Sequence, residues 1–479
     1  MITGIQVFDV PFHWVNDGEK RLDASFYAQD VIAARIVLDK VAAKVKIANL
    51  KDIVKDIFMP ALKITIPFCD NGQEYLTQSE VEFFLPRARK RLNINKIDDP
   101  ERWKVKSGFL LISQSGTIGR VTMATKYLEK FVISPNLIRV VAEENLRGYI
   151  YAFLSSWFGQ ALIKSLQYGI TVKHILPHHL YNIPIPRIQD LEKEINQKIL
   201  EAHKLREEAQ ELLLKAEEMI YSELGLPRID EDDIEYFGGK IGRIIKAFEI
   251  KASELDYRLD ASYHEPILNL IKENLKNKEK EGKFQLKQLG NGVGKVFDLP
   301  TYKRIYVKST EGYPILSGTH LRQLKLYDLK YISGRSFYKK GKSVLEKYKV
   351  KEGWILITER GTTGVIALVT KCWDGWLASH NILRVIPQNV NPGYLLAYLN
   401  TEYAQYQLKS KELGAVVKVL DPKDMENILV PIPKDKTLED KIGSLVIDAY
   451  NKKDLANQIE ENAIKYLEEI LKKIAEEAK

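Results

Sequence analysis

The sequence predicts a mixed α/β (α+β) fold in which two globular units alternate with two long helices. Three observations support this prediction. Two stretches, near residues 190 and 437, have the apolar spacing of a long helix. The chain repeats itself from its first half to its second half. Each half also mixes short runs of β-forming residues with helical stretches.

The first long helix is predicted over residues 190–225. Apolar residues recur there at alternating spacings of three and four, the pattern of a coiled-coil seam: Ile195, Ile199, Ala202, Ala209, Leu212, Ala216 and Met219. Asp190 is a suitable N-cap, and Gly225 provides a C-terminal stop. At 1.5 Å per residue this helix is about 50 Å long, which is long for one small domain and typical of a spacer.

The second long helix is predicted over residues 437–479 and copies the first. Its apolar stripe includes Ile442, Ala449 and Ala456, each 247 positions after its equivalent in the first helix, and Thr437 with Asp440 resembles a capping box. Neither helix has enough apolar surface to be stable alone. We therefore expect the two to pair as an antiparallel coiled coil, giving a pseudo-twofold molecule.

The globular units repeat as well. Residues 108–154 and 353–399 share 16 identities in 47 positions, and Arg21 to Phe26 (RLDASF) returns as Arg258 to Tyr263 (RLDASY). We interpret RLDAS as an Asp or Ser cap before a helix. The predicted boundaries are 1–189 for the first unit, 190–225 for its helix, 226–436 for the second unit with a linker at about 226–245, and 437–479 for the last helix.

The composition is that of an ordinary globular chain with a net charge of +8, which permits an anionic partner without requiring one. Cys69 and Cys372 are interpreted as plain thiols in a reducing compartment. No signal peptide or membrane span is visible in the sequence, so we expect a cytoplasmic protein.

No catalytic or metal motif is evident. The GKS at 341–343 lacks the first glycine of a phosphate loop, since Ser336 occupies that position. His174, His178 and His179 suggest a metal cluster, but Val419, Lys423 and Asp424 replace them in the second copy, which favours surface histidines.

The duplicated glycine loops and basic runs are the candidates for binding. SQSGTIGR (113–120) and TERGTTGV (358–365) allow close backbone approach and offer donors to phosphates or base edges, although a simple turn is an equal alternative. Each copy also has a basic run and an exposed lysine after a helix, which suit DNA or a solvated face. The candidate DNA-binding residues are Arg87, Arg89, Lys90, Arg91, Gln114, Ser115, Thr117, Arg120, Thr171, Lys173, Arg335, Lys339, Lys340, Lys342, Arg360, Thr362 and Lys418.

Taken together, the chain resembles the specificity subunit of type I restriction-modification systems. The resemblance lies in GTIG with SPNLIR (116–119 and 134–139), YGITVK and IPIP before the first helix, which return as GTTG, SHNILR, LGAVVK and VPIP. It implies that each globular unit is a target-recognition domain reading half of a split DNA sequence. The second copy departs by an insertion before its glycine loop and by Ala415 and Val416 in place of Ile170 and Thr171.

The resemblance also implies partners. Two modification subunits would dock on the helices and methylate adenine using S-adenosylmethionine, and restriction subunits would cleave DNA using ATP and Mg²⁺, leaving no catalysis and no cofactor in this chain. Readers at the ends of a roughly 50 Å rod would meet one face of DNA about one or more helical turns apart. Whole-turn lengthening of the central helix should then change only the gap. Two other interpretations stay open: the recognition part of another defence methyltransferase or nuclease, and a coiled-coil scaffold without a DNA role.

Overall fold

The computed structural model describes residues 24–61, 65–169, 173–229, 247–255, 258–339, 342–414 and 416–478, with Val10, Phe12, Val15 and Ile234. The chain forms two compact units, one of residues 1–207 with 455–479 and one of residues 208–454. The division therefore falls within both long helices. Most of the predicted linker at 226–245 lies outside the described residues.

The first half of the chain alternates short strands with helices before the first long helix. In order, its elements are α1 Gln29–Ala42, β1 Lys46–Asn49, α2 Leu50–Ile53, β2 Asp56–Phe58, β3 Phe68–Cys69, β4 Gln73–Leu76, β5 Lys90–Leu92, β6 Leu110–Ser113, β7 Val121–Met123, β8 Val132–Ile133, β9 Leu137–Val141, α3 Glu144–Ser155, α4 Trp157–Ser165, β10 Pro184–Arg187 and α5 Gln189–Leu224.

The second half follows the same plan and ends in the other long helix. Its elements are α6 Ile267–Lys280, β11 Phe284–Gln288, β12 Gly294–Phe297, β13 Tyr306–Val307, β14 Tyr313–Leu316, β15 Lys330–Ile332, β16 Tyr338–Lys339, β17 Lys342–Ser343, β18 Ile355–Thr358, β19 Ile366–Leu368, β20 Leu377–Ala378, β21 Ile382–Pro387, α7 Pro392–Leu399, α8 Glu402–Ser410, α9 Pro422–Glu426, β22 Leu429–Pro433 and α10 Lys436–Glu477. The predicted mixed α/β fold class is confirmed.

The sheets of the two units have the same strand orders. The first unit contains four-stranded sheets β2-β9-β6-β7 and β3-β5-β4-β8, and the second contains β12-β21-β18-β19 and β13-β15-β14-β20. The pairs β1-β10 and β11-β22 also correspond. Within the described residues, the β16-β17 hairpin of the second unit has no counterpart in the first. It is the insertion that the sequence shows before the second glycine loop.

The apolar run LLIS in β6 is buried on both faces of its sheet. Leu110 and Ile112 belong to a core cluster with helices α1, α3 and α4, whereas Leu111 belongs to a second cluster with Ile133 and Leu137. Because successive side chains of a strand point to opposite faces, a strand buried on both faces reads as a continuous apolar run. The ILIT run of β18 is buried in the same way.

Both long helices contribute to the core of the first unit. Ile195 and Ile199 of α5 lie in one cluster with Ala463 and Leu467 of α10. The two segments run antiparallel there, since Lys198 contacts the Tyr466 ring at 5.3 Å and the later Arg206 pairs with the earlier Glu460 at 2.5 Å. In the second unit, Lys452 of α10 pairs with Glu208 of α5 at 2.7 Å.

A carboxylate on each long helix fixes a loop of its own unit. Glu207 of α5 accepts hydrogen bonds from the Lys126 amide (2.6 Å) and the Ser107 hydroxyl (2.8 Å). Asp454, 247 positions later, accepts from the Thr370 hydroxyl. Burial tends to raise the pKa of Glu207, but hydrogen bonds from His203 and from these donors lower it to about 2.

The helix ends differ in part from the prediction. Gly225 is left-handed (φ 67°) directly after α5, as a C-terminal stop requires. Helix α10 begins at Lys436, and Asp435, not Thr437, accepts the hydrogen bond from an amide of the first turn (2.9 Å). The predicted capping by RLDAS is also wrong in the second copy. Asp260 makes no capping hydrogen bond and accepts instead from Arg258 at 2.6 and 2.9 Å.

Among the described residues, no helix is both long and apolar enough to span a membrane. The long helices fail the second condition, because charged residues separate the apolar positions of their stripes.

Candidate nucleic-acid interface

The first glycine loop joins β6 to β7 and is closed by backbone hydrogen bonds and by the Ser113 hydroxyl. The Oγ of Ser113 donates to the Thr117 carbonyl (2.5 Å) and accepts from the Arg120 amide (2.9 Å). Gly116, at the tip, is left-handed (φ 69°) and has open space where a Cβ would lie. Glycine is needed here for its backbone conformation, because an L side chain rarely adopts this φ.

The second glycine loop joins β18 to β19 and has the same internal hydrogen bonds. The Oγ1 of Thr358 donates to the Thr362 carbonyl (2.6 Å) and accepts from the Val365 amide (2.9 Å). Gly361 at its tip is again left-handed (φ 81°) with nothing nearby. Thr and Ser are interchangeable at this position because only the hydroxyl is used.

In each unit a short hairpin is joined to the glycine loop through backbone bridges. The predicted segment 168–174 closes between Tyr168 and His174, and His174 bridges to Ser115. In the second unit the hairpin 413–419 closes between its end residues, and Val419 bridges to Arg360. Two segments that the sequence identifies separately therefore form one surface feature in each unit.

A buried arginine lies beneath the first loop. Arg139 of β9 has no exposed surface, and its guanidinium donates to the carbonyls of Ile133 and Ser134, both at 3.0 Å. Burial lowers the pKa of Arg139 to about 9. The segment it holds includes Asn136, whose carbonyl accepts from the Gln114 amide of the glycine loop (3.2 Å). The arginine thus fixes the segment on which the loop rests.

The second unit contains the same arrangement. Arg384 of β21 is fully buried and donates to the carbonyls of Ala378 (2.8 Å) and Ser379 (3.3 Å). Burial lowers its pKa to about 10. The Asn381 carbonyl accepts from the Glu359 amide (2.9 Å) at the start of the second glycine loop.

Most of the predicted binding residues of the first unit are exposed. Arg87, Arg89, Lys90, Arg91, Thr117 and Lys173 are exposed, and Gln114, Ser115 and Arg120 are half-buried. Thr171 lies outside the described residues. The structure brings Gln114, Ser115 and Lys173 together through the loop and the hairpin, whereas Lys90 and Arg91 lie on β5 in the other sheet.

In the second unit Arg335, Lys342, Arg360 and Thr362 are exposed, and Lys418 is half-buried. Only the backbone of Lys339 is described, and Lys340 lies outside the described residues. The Lys418 carbonyl accepts from the Gly361 amide (3.2 Å), so this lysine is attached to the glycine loop.

The two basic runs are similar in composition but are not structural equivalents. Lys90 and Arg91 lie on β5, whose counterpart by strand order is β15. Arg335 instead lies in a 3-10 helix over Gly334–Phe337, and Lys342 lies on β17 of the hairpin that the first unit lacks among its described residues. The basic run of the second unit therefore lies on different elements from that of the first.

Several candidate cations interact with neighbouring side chains. Arg120 donates to the buried Glu82 carboxylate at 2.7 Å, and Arg360 contacts Glu359 at 3.0 Å with about half of its side chain exposed. Lys90 lies over the Phe68 ring at 4.6 Å. Arg120, half-buried against a carboxylate, is the least available of these cations for an anionic ligand.

Sequence reasoning missed two features of the first site. Gln78 donates from its side-chain amide to the Ser115 carbonyl (2.7 Å) and supports the loop from a distant segment, with no signal in the sequence. The rings of Tyr168 and His174 lie 4.2 Å apart, and Tyr168 and His179 lie 5.0 Å apart. The YGITVKH motif contains two of these three rings, Tyr168 and His174, and was the sequence signal for this cluster of rings.

The three histidines do not form a metal cluster. His178 and His179 meet edge to face, with their ring centroids 4.2 Å apart. Across the part of the chain that the structure describes, no three His, Cys, Asp or Glu side chains are placed to hold a metal ion.

Two comparisons with known proteins found similarities. Residues 279–465 match the family model of the type I restriction modification DNA specificity domain. No curated protein matched the chain. Two solved structures are similar over 90% of this chain and 96% of theirs: the S subunit of a type I restriction-modification system from M. genitalium (14% identity, TM-score 0.35) and the HsdS subunit from Thermoanaerobacter tengcongensis (13% identity, TM-score 0.28).

Proposed function

We propose that this chain, a member of the specificity-subunit family of type I restriction-modification systems, reads a split and asymmetric DNA sequence, one half with each unit. Membership of this family implies sequence-specific DNA recognition. The division of the target between the units, the gap between its halves and the partner subunits are the parts that we propose.

The observation that supports the proposal most directly is the joined loop and hairpin, which occurs once in each unit. Ser115 bridges to His174 in one and Arg360 to Val419 in the other. A rigid frame that presents a short polar loop is how base-reading side chains are held in place. Two such sites in one chain fit two half-sites.

The exposed side chains of these loops suit contacts with base edges. Thr117 and Thr362 occupy equivalent exposed positions at the loop tips. Their carbonyls accept hydrogen bonds within the loops, which helps to fix the backbone that carries each side chain. Threonine can donate to or accept from base edges, and Arg360 in the second unit can bond a guanine bidentately.

The exposed basic residues suit contacts with phosphates. Arg87, Arg89, Lys90 and Arg91 supply positive charge in the first unit, and Arg335 and Lys342 do so in the second. Lysine and arginine contacts of this kind provide affinity and set orientation without selecting a sequence. Because these residues lie on different elements in the two units, each unit would contact its DNA backbone differently.

We assign no chemical step to this chain. In the proposal, modification subunits transfer methyl groups to adenine with S-adenosylmethionine, and restriction subunits use ATP and Mg²⁺. Two modification subunits dock on the long helices. The exposed charged residues of these helices, from Asp190 near the start of α5 to Glu477 at the end of α10, suit a polar interface. The helices also set the gap between the half-sites.

Long-read sequencing of adenine methylation tests the proposal. A host carrying this gene and its neighbours is compared with the same host after deletion of this gene alone. A split, asymmetric methylated motif should be present in the first strain and absent in the second. A motif that persists after deletion, or one that is continuous or palindromic, contradicts the proposal.

A further inference from the structure

The hairpin of the second unit presents apolar side chains to solvent. Val416 is 95% exposed, Val417 56% and Leu413 41%. Single exposed apolar residues are ordinary on protein surfaces. Here three exposed apolar side chains lie within five positions, beside a loop rich in hydrogen-bond donors. This combination suits a ligand that has both polar and apolar groups.

The conformation of this hairpin is fixed by its own backbone. Leu413 and Val419 exchange two hydrogen bonds (2.8 and 2.9 Å), which closes the hairpin. Gly414 is left-handed (φ 96°), and a Cβ there would lie 2.4 Å from the Val417 carbonyl oxygen. Valine has few side-chain rotamers, so Val416 is presented with little entropy left to lose on binding.

The hairpin is also attached to the glycine loop. The Gly361 amide donates to the Lys418 carbonyl (3.2 Å), and the Leu420 amide donates to the Glu359 carbonyl (2.9 Å). Lys418 directly follows Val417 in the chain, and Arg360 lies beside the hairpin through its bridge to Val419. The exposed valines are therefore close to two cations, which suit an anionic ligand.

Among the four bases, thymine alone presents an apolar group, its 5-methyl, in the major groove of DNA. An aliphatic side chain held beside base-reading donors matches that group. We propose that Val416 contacts the 5-methyl group of a thymine in the second half-site and so contributes to the specificity of this unit. The inference rests on the proposed function, since it requires that the unit reads DNA.

The first unit carries different side chains at these positions. By the repeat, Thr171 corresponds to Val416, and the aromatic Tyr168 corresponds to Leu413. Threonine offers one methyl group and a hydroxyl where valine offers two methyl groups, so the two side chains suit different base edges. The proposed contact of Val416 is thus one source of the asymmetry of the target.

The test replaces each thymine of the second half-site by deoxyuridine, which removes the methyl group and keeps the base pairing. The full chain, assembled with the subunits encoded beside it, is titrated with each duplex. At one position we expect the Kd to rise about fourfold, the effect of one buried methyl group. Val416→Ser, which removes both methyl groups of the side chain, should raise the Kd for thymine DNA similarly.

The two changes should not add, because they remove the same contact. Val416→Ser should therefore bind the thymine and deoxyuridine duplexes equally, whereas the matched control Val417→Ser should keep the fourfold difference. Tolerance of deoxyuridine at every position would overturn the inference. So would an undiminished effect of deoxyuridine in Val416→Ser, or the loss of that effect in Val417→Ser. A Val416→Ser variant that fails to assemble with its subunits but, once assembled, binds thymine DNA as the wild type does would also overturn it. Failure of the wild-type complex to prefer its target over scrambled DNA would instead overturn the proposed function.

Discussion

The two units share the frame of their binding site and differ in the side chains around it. Ser113 and Thr358 close the two glycine loops by equivalent hydrogen bonds. The buried Arg139 and Arg384 each hold the equivalent segment beneath the loop of their own unit. Around that frame the first unit has rings at its hairpin, and the second has exposed aliphatic side chains. The repeated frame fixes the position of each glycine loop, and the different side chains around it suit two different half-sites.

The largest expected effect comes from removing the shared arginines. Arg139→Met keeps most of the volume but leaves buried carbonyls without donors, and we expect a loss of about 3 kcal/mol of unfolding free energy. Arg384→Met should cost a similar amount in the second unit, since the guanidinium makes equivalent contacts there. Urea unfolding followed by tryptophan fluorescence measures both.

A surface arginine provides the matched control. Arg89 is exposed on the first unit, and Arg89→Met should change stability by at most about 0.5 kcal/mol. If Arg139→Met were as mild as this control, the buried arginine would not be what holds the frame.

A smaller loss of stability is expected at Glu207, the carboxylate that fixes a loop of the first unit to its long helix. The pKa of Glu207 is lowered to about 2, so its contribution to stability is present above about pH 4.5 and is lost as the pH falls toward 2. Glu207→Gln should lower stability by about 2 kcal/mol at neutral pH and flatten the acid limb of the pH profile.

Urea midpoints between pH 2.5 and 7 provide the measurement. Glu211→Gln, an exposed position one turn further along α5, is the control and should keep the wild-type profile. An acid limb as steep in Glu207→Gln as in the wild type would mean that other carboxylates determine it.

The sequence was sufficient for the features that depend on local pattern. The spacing of apolar residues predicts both long helices, and the paired glycines at 116 and 361 predict tight loops because a left-handed backbone excludes most other residues. The runs LLIS and ILIT predict buried strands, since a strand covered on both faces shows no alternation.

The features that depend on tertiary contacts could not be predicted. A buried arginine looks like a surface arginine in the sequence, because only the fold shows that carbonyls surround Arg139. The two basic runs match in composition, whereas the fold places Arg335 in a 3-10 helix and Lys342 on an inserted hairpin that has no counterpart among the described residues of the first unit. The carboxylate beside Arg120 lies 38 residues away along the chain.

In the proposed function, each unit reads its own half of the target. Thr117 and Thr362 are equivalent, exposed loop-tip residues, so Thr117→Trp and Thr362→Trp place the same obstruction on the two sites. We expect each variant to raise the Kd of the full complex for its target at least about tenfold. Unfolding midpoints equal to the wild type establish that both variants fold.

Titration with duplexes in which one half-site or the other is scrambled is the decisive measurement. We expect the Thr117→Trp defect to disappear when one half is scrambled and the Thr362→Trp defect to disappear when the other half is scrambled. If both defects disappear on scrambling the same half, or both persist on every duplex, the two units do not read separate halves of the target.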